Sequence, residues 1–116
     1  MVAASVGRDG WYPYAVWDDE VIVGTGTVHV HQETGQLLGG ATVPRSRRKG
    51  IQSALLAARA QAARAAGSRW LVAETGTEAS GTHNSSLHNM LRAGFTLLYE
   101  RQNWIWRPAQ REDFAI

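Results

Sequence analysis

The chain has no cysteine. A disulfide frame and a thiolate metal site are therefore excluded, and the composition fits a reducing compartment, the cytoplasm. Long apolar runs are missing too: no stretch approaches the roughly 18 apolar residues that a membrane-spanning helix needs. The opening "MVAASVGRDG" holds no apolar segment of the secretory-signal kind. Two nucleotide signatures are also absent, the G-K-[ST] of a triphosphate-binding loop and the glycine spacing of a dinucleotide fingerprint. The expectation is a soluble cytoplasmic protein with no membrane partner.

What remains is 116 residues, 44% of them hydrophobic, at a formal net charge of +2. That is the length of one globular domain, 1–116, with a real but thin core. Its ends, about 1–10 and 109–116, read as loosely ordered.

The segment "WYPYAVW" (11–17) is aromatic and β-branched and predicts a strand, with Pro13 hinting at an edge. A polar "DDE" turn leads to a second strand, "VIVGTGTVHV" (21–30), and "HQETGQ" to a third, "LLGGATV" (37–43). Then the period changes. Ile51, Leu55, Ala58, Ala62 and Ala65 recur at helical spacing in an alanine-rich stretch from about 48 to 66, with Gly67 as C-cap. A strand over 69–75, a loop over 76–86, a short helix over 87–93 ending at Gly94, and strands over 95–101 and 103–108 complete the reading. The predicted order is βββ-α-β-α-ββ, an α/β (α+β) fold on a mixed, mainly antiparallel sheet. The long helix acts as a crossover that favours parallel pairing of the strands it joins.

One absence is local. The helix begins in "VPRSRRKGIQSALL", where Arg45, Arg47, Arg48 and Lys49 crowd into five positions and no acid follows in the first turn. A helix N-terminus carries partial positive charge, so each exposed cation there is disfavoured by about 0.3–1 kcal/mol. Either the charges are solvated, or an anion belongs there. Gly50, inside the run, costs helix stability but admits close approach to the backbone. Free amides, a tight turn, a glycine and cations together suit a phosphate. A nucleic-acid-binding module built on the run from Arg45 to Lys49 is the competing reading. Against it, the run is short and the other arginines are interspersed with acids.

The same stretch resembles the acetyl-CoA motif of the GNAT N-acetyltransferase superfamily. That motif has V-x-P or V-P, a few residues, then [RQ]-x-x-G-x-[GA], here Arg47-Arg48-Lys49-Gly50-Ile51-Gln52. Gln52 replaces the final small residue. "HNSSLHNMLRAGFTLLYER" (83–101) is similar to the family's second motif, an Asn-containing loop and helix ending in a Gly-Phe pair, Gly94-Phe95. The resemblance runs from Trp11 to about Trp106. It implies that Thr42 and Val43 lend strand-like backbone pairing to the pantetheine arm. It implies that Arg47 and the amides of Arg48, Lys49, Gly50, Ile51, Gln52 and Ser53 hold the pyrophosphate. Asn84 and Asn89 would be polar contacts to the cofactor arm, or else helix-start caps and turns.

The implied activity is transfer of acetyl from acetyl-CoA to a primary amine of a small molecule or peptide by direct attack. The family's usual acid, a tyrosine four residues before the Gly-Phe glycine, is Met90 here, which has no proton to give. Tyr99 is the substitute by sequence, with packing in the sheet as the alternative. Glu74, ending the strand beside the expected cleft, is the candidate base. His29 and His31 share a strand face without a third metal ligand at sensible spacing, and His83 and His88 flank the second motif. No metal is expected. The family's usual strand and two helices before the hairpin are missing, so a coenzyme A-binding remnant, or a fragment needing a partner, is the second reading. Trp104 and Trp106, on one strand face, lead to the expectation of a homodimer.

Overall fold

Aromatic and β-branched residues build the first half of the molecule. In the computed structural model, which describes residues 7–109, they form β1 (Trp11–Asp18), β2 (Val21–His31) and β3 (Thr34–Thr42). β1 pairs antiparallel with β2, and β2 with β3. Each connection is a two-residue loop whose first residue, Asp19 or Gln32, takes φ 53°, the positive-φ geometry that matches the twist of paired strands. Pro13 lies in β1, the outer strand, where its missing N–H interrupts no ladder on the open side.

α1 (Ile51–Ala65) crosses over the sheet, and β4 (Trp70–Val72) then pairs parallel with β3 at Thr34, Gly35 and Gln36. The sheet order is β1-β2-β3-β4, and α2 (Ser85–Arg92) follows a loop. The mixed α+β architecture is the one expected. No described helix is long and apolar enough to cross a membrane.

The core lies between α1 and the sheet. Leu55, Leu56 and Ala63 bury themselves with Val23, Val28 and Leu37. Glycines in β2 let the helix come close: a Cβ on Gly24 would stand 2.5 Å from Ile51 Cγ2, and one on Gly26 2.9 Å from the Arg59 guanidinium. Arg59 is only 4% exposed. Its Nε donates to Leu55 O (3.1 Å), and its Nη1 to Thr27 O and Leu38 O (3.4 Å each). Burial pushes its pKa down. It ties α1 to the sheet beside the irregularity between Thr25 and Thr27. Past Gln36, β3 has no strand beside its outer edge among the described residues, and that gap opens the site described below.

Several expected boundaries shift. β3 starts at Thr34 instead of Leu37, and α1 at Ile51 instead of Arg48, because Arg48 and Gly50 hold φ 65° and 75° and are not helical. β4 is three residues long instead of seven, its pairing with β3 ending at Val72. The strands expected over 95–101 and 103–108 do not form. Leu97, Leu98, Tyr99, Trp104, Ile105 and Trp106 are all exposed. Apolar and β-branched composition marks a fit to a pleated, half-buried surface, and this segment pairs with no strand. Of the ends expected to be loose, 1–6 and 110–116 lie outside the described residues. Residues 8–10 are tied in by Trp11 N to Arg8 O (3.1 Å) and Val30 N to Gly10 O (2.7 Å).

Candidate functional site

The turn between β3 and α1 exposes a row of amides. Val43 begins a single 3-10 turn, Pro44–Ser46. Its amide donates to Val23 O (2.9 Å) and its carbonyl accepts from Ser46 N (3.0 Å). Val43 thus closes the turn, with its amide engaged inside the chain and its carbonyl accepting one bond. Beyond it, Arg48 and Gly50 adopt left-handed conformations. Gly50 caps α1 with no side-chain hydrogen bond, and no acid sits in the first helical turn. The amides of Ile51, Gln52 and Ser53 are first-turn donors without intrahelical partners. Those of Arg48, Lys49 and Gly50 have no backbone partner among the described residues. Left-handed residues in such a turn aim successive N–H groups into one concavity, an anion-binding nest.

This turn forms one wall of a cavity of about 1060 Å³. The end of β3 (Gly40, Ala41, Thr42), the turn (Ser46, Arg47, Arg48) and the helix start (Gly50, Ile51, Gln52, Ser53) line one side. Thr77, Thr82 and His83 from the following loop, with Asn84, Asn89 and Arg92 at α2, line the other. Most of the residues singled out in the sequence therefore meet around one space. Lys49 and Val43 do not line it.

Gln52 shows how a large residue fits a position where the GNAT pattern has a small one. Its Nε2 donates to Thr42 Oγ1 at 2.6 Å, folding the side chain back onto β3. Asn84 takes the cap alternative. Its Oδ1 accepts from Leu87 N (3.1 Å), and its Nδ2 donates to Gly76 O (2.6 Å) and Thr75 Oγ1 (3.2 Å). Asn89 Oδ1 accepts from the Arg92 guanidinium.

The two candidate catalytic residues are not brought to the cavity, which corrects their expected placement. The Glu74 carboxylate meets Arg101 Nη2 at 2.7 Å. Tyr99 is 70% exposed, because the segment that carries it joins no sheet and nothing turns it back toward α2.

Sequence reasoning missed Arg92 and Glu78. Arg92 stands three residues after Asn89 on the same helix, so helical spacing could have placed it beside the cavity. Glu78 had no signal, because its partners depend on how the loop folds. Its Oε2 accepts from Asn84 N at 2.6 Å and lies 2.8 Å from His88 Nε2 and 3.9 Å from His83 Nδ1. The Asn84 amide first, then His88, holds the carboxyl below its ordinary range. The rings of His83 and His88 stack at 4.5 Å. His29 stacks on Trp11 at 4.2 Å and lies 6.4 Å from His31, on the sheet.

Free amides on one wall, with Arg47, Arg48 and Arg92 around the space, fit a phosphate-bearing ligand by both charge and donor geometry. The volume exceeds what a drug-sized ligand fills. Chemically the cavity can hold an extended anion, with the open edge of β3 beside it.

The comparisons agree with this geometry. A model of the acetyltransferase (GNAT) family matches residues 4–95. No curated protein matches the chain by sequence. Among solved structures, the aminoglycoside N-acetyltransferase AAC(6')-Iy in complex with CoA superposes with a TM-score of 0.77 at 17% identity, covering 91% of this chain and 83% of that one. An acetyltransferase of Trypanosoma brucei superposes at 0.75 and 16% identity, covering 90% and 75%. An aminoglycoside acetyltransferase from an uncultured soil metagenomic sample, in complex with sisomicin, superposes at 0.68 and 14% identity, covering 94% and 72%. Identities this low establish a shared fold and no more.

Proposed function

Since the chain belongs to the GNAT acetyltransferase family, we propose that it transfers an acetyl group from acetyl-CoA to the primary amine of a small molecule or peptide. The observation that carries this reading is the set of unpartnered amides at the left-handed Gly50 turn, where Arg48, Gly50, Ile51, Gln52 and Ser53 line the cavity. When bound, acetyl-CoA would supply the acetyl group as an activated thioester: the C–S bond breaks as the amine nitrogen bonds to the carbonyl carbon, and coenzyme A leaves as the thiol with the proton the amine gives up, without a covalent enzyme intermediate.

The chain's own residues then bind and orient. The amides of Arg48, Gly50, Ile51, Gln52 and Ser53, which line the cavity, would donate to the pyrophosphate at the N-terminal end of the α1 dipole. Arg47 and Arg48 offset its charge from one side and Arg92 from the other. Strand-like pairing to the pantetheine arm would fall to Gly40, Ala41 and Thr42, which line the cavity where the edge of β3 away from β2 has no strand beside it among the described residues. The Gln52–Thr42 hydrogen bond fixes that strand end to the helix start. The small-molecule acceptor class takes its support from the aminoglycoside acetyltransferases among the proteins of the same fold.

A second reading, a coenzyme A-binding domain without turnover, is favoured by one observation: Glu74 and Tyr99 both stand away from the cavity. Calorimetric titration of acetyl-CoA into the native chain and into Gly50→Glu tests the binding reading. Binding by the native chain and its loss in the variant are expected. A native chain that does not bind defeats both readings. Thiol release with a panel of amines then separates them: turnover supports transfer, and binding without turnover supports the remnant.

A further inference from the structure

We propose that Glu78, His83 and His88 form a binding site for one divalent transition-metal ion, with zinc the ion that this donor set fits. The three residues come from two places, the loop after β4 and the first turns of α2, and one carboxylate gathers them. Among the described residues no other group of three such side chains converges in this way: their ligand atoms all lie within 4.8 Å of one another. Ligands on a tetrahedral zinc at about 2.0–2.1 Å stand roughly 3.4 Å apart. His88 Nε2 is 2.8 Å and His83 Nδ1 3.9 Å from Glu78 Oε2, so small rotations, chiefly of the exposed His83 side chain, close the set.

The chemistry selects the ion. Two imidazoles and one carboxylate, with an open fourth position toward solvent, are a known zinc donor set. Calcium and magnesium prefer oxygen ligands throughout, which two histidines do not provide. The parallel stacking of the imidazoles, with rings 15° apart, already turns one nitrogen of each toward the carboxylate.

The ligands are also supported by groups that are not ligands. Asn84 lies next to His83 in the chain. Its amide holds Glu78 Oε2, and its side chain ties back to Gly76 O while capping the helix that carries His88. Such outer contacts orient ligands before the ion arrives. Binding would displace protons from the imidazoles, so affinity should fall as the pH is lowered. The second histidine pair lacks this arrangement: His29 and His31 sit on the sheet with no carboxylate completing a set. The metal proposal does not rest on the acetyl-transfer reading, although His83 also lines the cavity, and it is tested without substrate or cofactor.

The untagged full chain, stripped of metal with a chelator, is titrated with zinc chloride in a calorimeter near neutral pH. One ion per chain is expected. His83→Ala and His88→Ala should each weaken binding by about tenfold or more, while His31→Ala should leave it unchanged. The His83 side chain is 68% exposed, so its variant folds and remains decisive even if His88→Ala does not. Cobalt(II) provides a second readout: a visible d–d band on the native chain that is lost in His83→Ala. Absence of saturable zinc binding, equal binding by His83→Ala, or the same loss in His31→Ala would each overturn the proposal, as would a native chain that shows no cobalt band.

Discussion

Gly50 stands at φ 75° with nothing within 4 Å of the place a Cβ would take. Its requirement is conformational, not steric: an L-residue there costs on the order of 1–2 kcal/mol in backbone strain. A glutamate adds a negative charge where the cations and amides await an anion, which is why Gly50→Glu is the informative variant for acetyl-CoA. Glu78 offers a prediction of a different kind. Its carboxyl is held below its ordinary value of 4.5, chiefly by the Asn84 amide. A depressed folded pKa stabilises the native state above the ordinary value, and that contribution disappears as pH falls through the lowered folded value. An NMR-monitored titration of the Glu78 carboxyl should give a midpoint below 4.5, and Asn84→Pro, which deletes the donating N–H, should raise it. A midpoint at or above the ordinary value would show that the amide does not hold the carboxylate in solution.

The two helices rest on different supports. α1 is long, rich in alanine and anchored by buried Leu55, Leu56 and Ala63, so its pattern announces it. α2 has eight residues and no buried side chain, and a helix that short is marginal on propensity alone. It depends on its cap. Asn84→Ala removes the bond to Leu87 N and the tie to Gly76 O, and should cost about 1 kcal/mol. Hydrogen exchange is the discriminating measurement: protection should drop at Leu87 and along α2 while the amide of Leu55 in α1 stays as slow as before. Equal loss in both helices would mean that the cap supports the whole fold. The β-patterned segments after Gly94 show the opposite failure of pattern reading. Their composition suits a sheet, yet an extended backbone becomes a strand only beside a partner, and β4 pairs along one edge over three residues.

Across the whole molecule, that unpaired segment leaves Trp104, Ile105 and Trp106 between 74% and 85% exposed. Contiguous apolar surface of this kind favours association. Sedimentation velocity over a wide concentration range should show self-association of the native chain, reduced in a Trp104→Ser, Trp106→Ser double variant. A single monomeric species at every concentration would remove the homodimer expectation. A shared fold does not fix the acceptor, which must be argued from side chains in the site and not from architecture.

The order of strands and helices as far as α2, the crossover, and the anion-binding turn at Gly50 could be read along the chain, because each follows from local period, turn chemistry and helix-end electrostatics. So could the meeting of Thr42, Arg47, Arg48 and Gln52, since β3, the turn and α1 are consecutive and short connections keep them together. Where Glu74 and Tyr99 stand could not, because that depends on whether the chain beyond Gly94 joins the sheet. Nor could the gathering of Glu78, His83 and His88, which are five residues apart at each step and converge only because the Asn84 amide turns the loop onto the carboxylate. Local rules act through neighbours in sequence, whereas side chains that meet across a loop are placed by hydrogen bonds that exist only once the chain has folded.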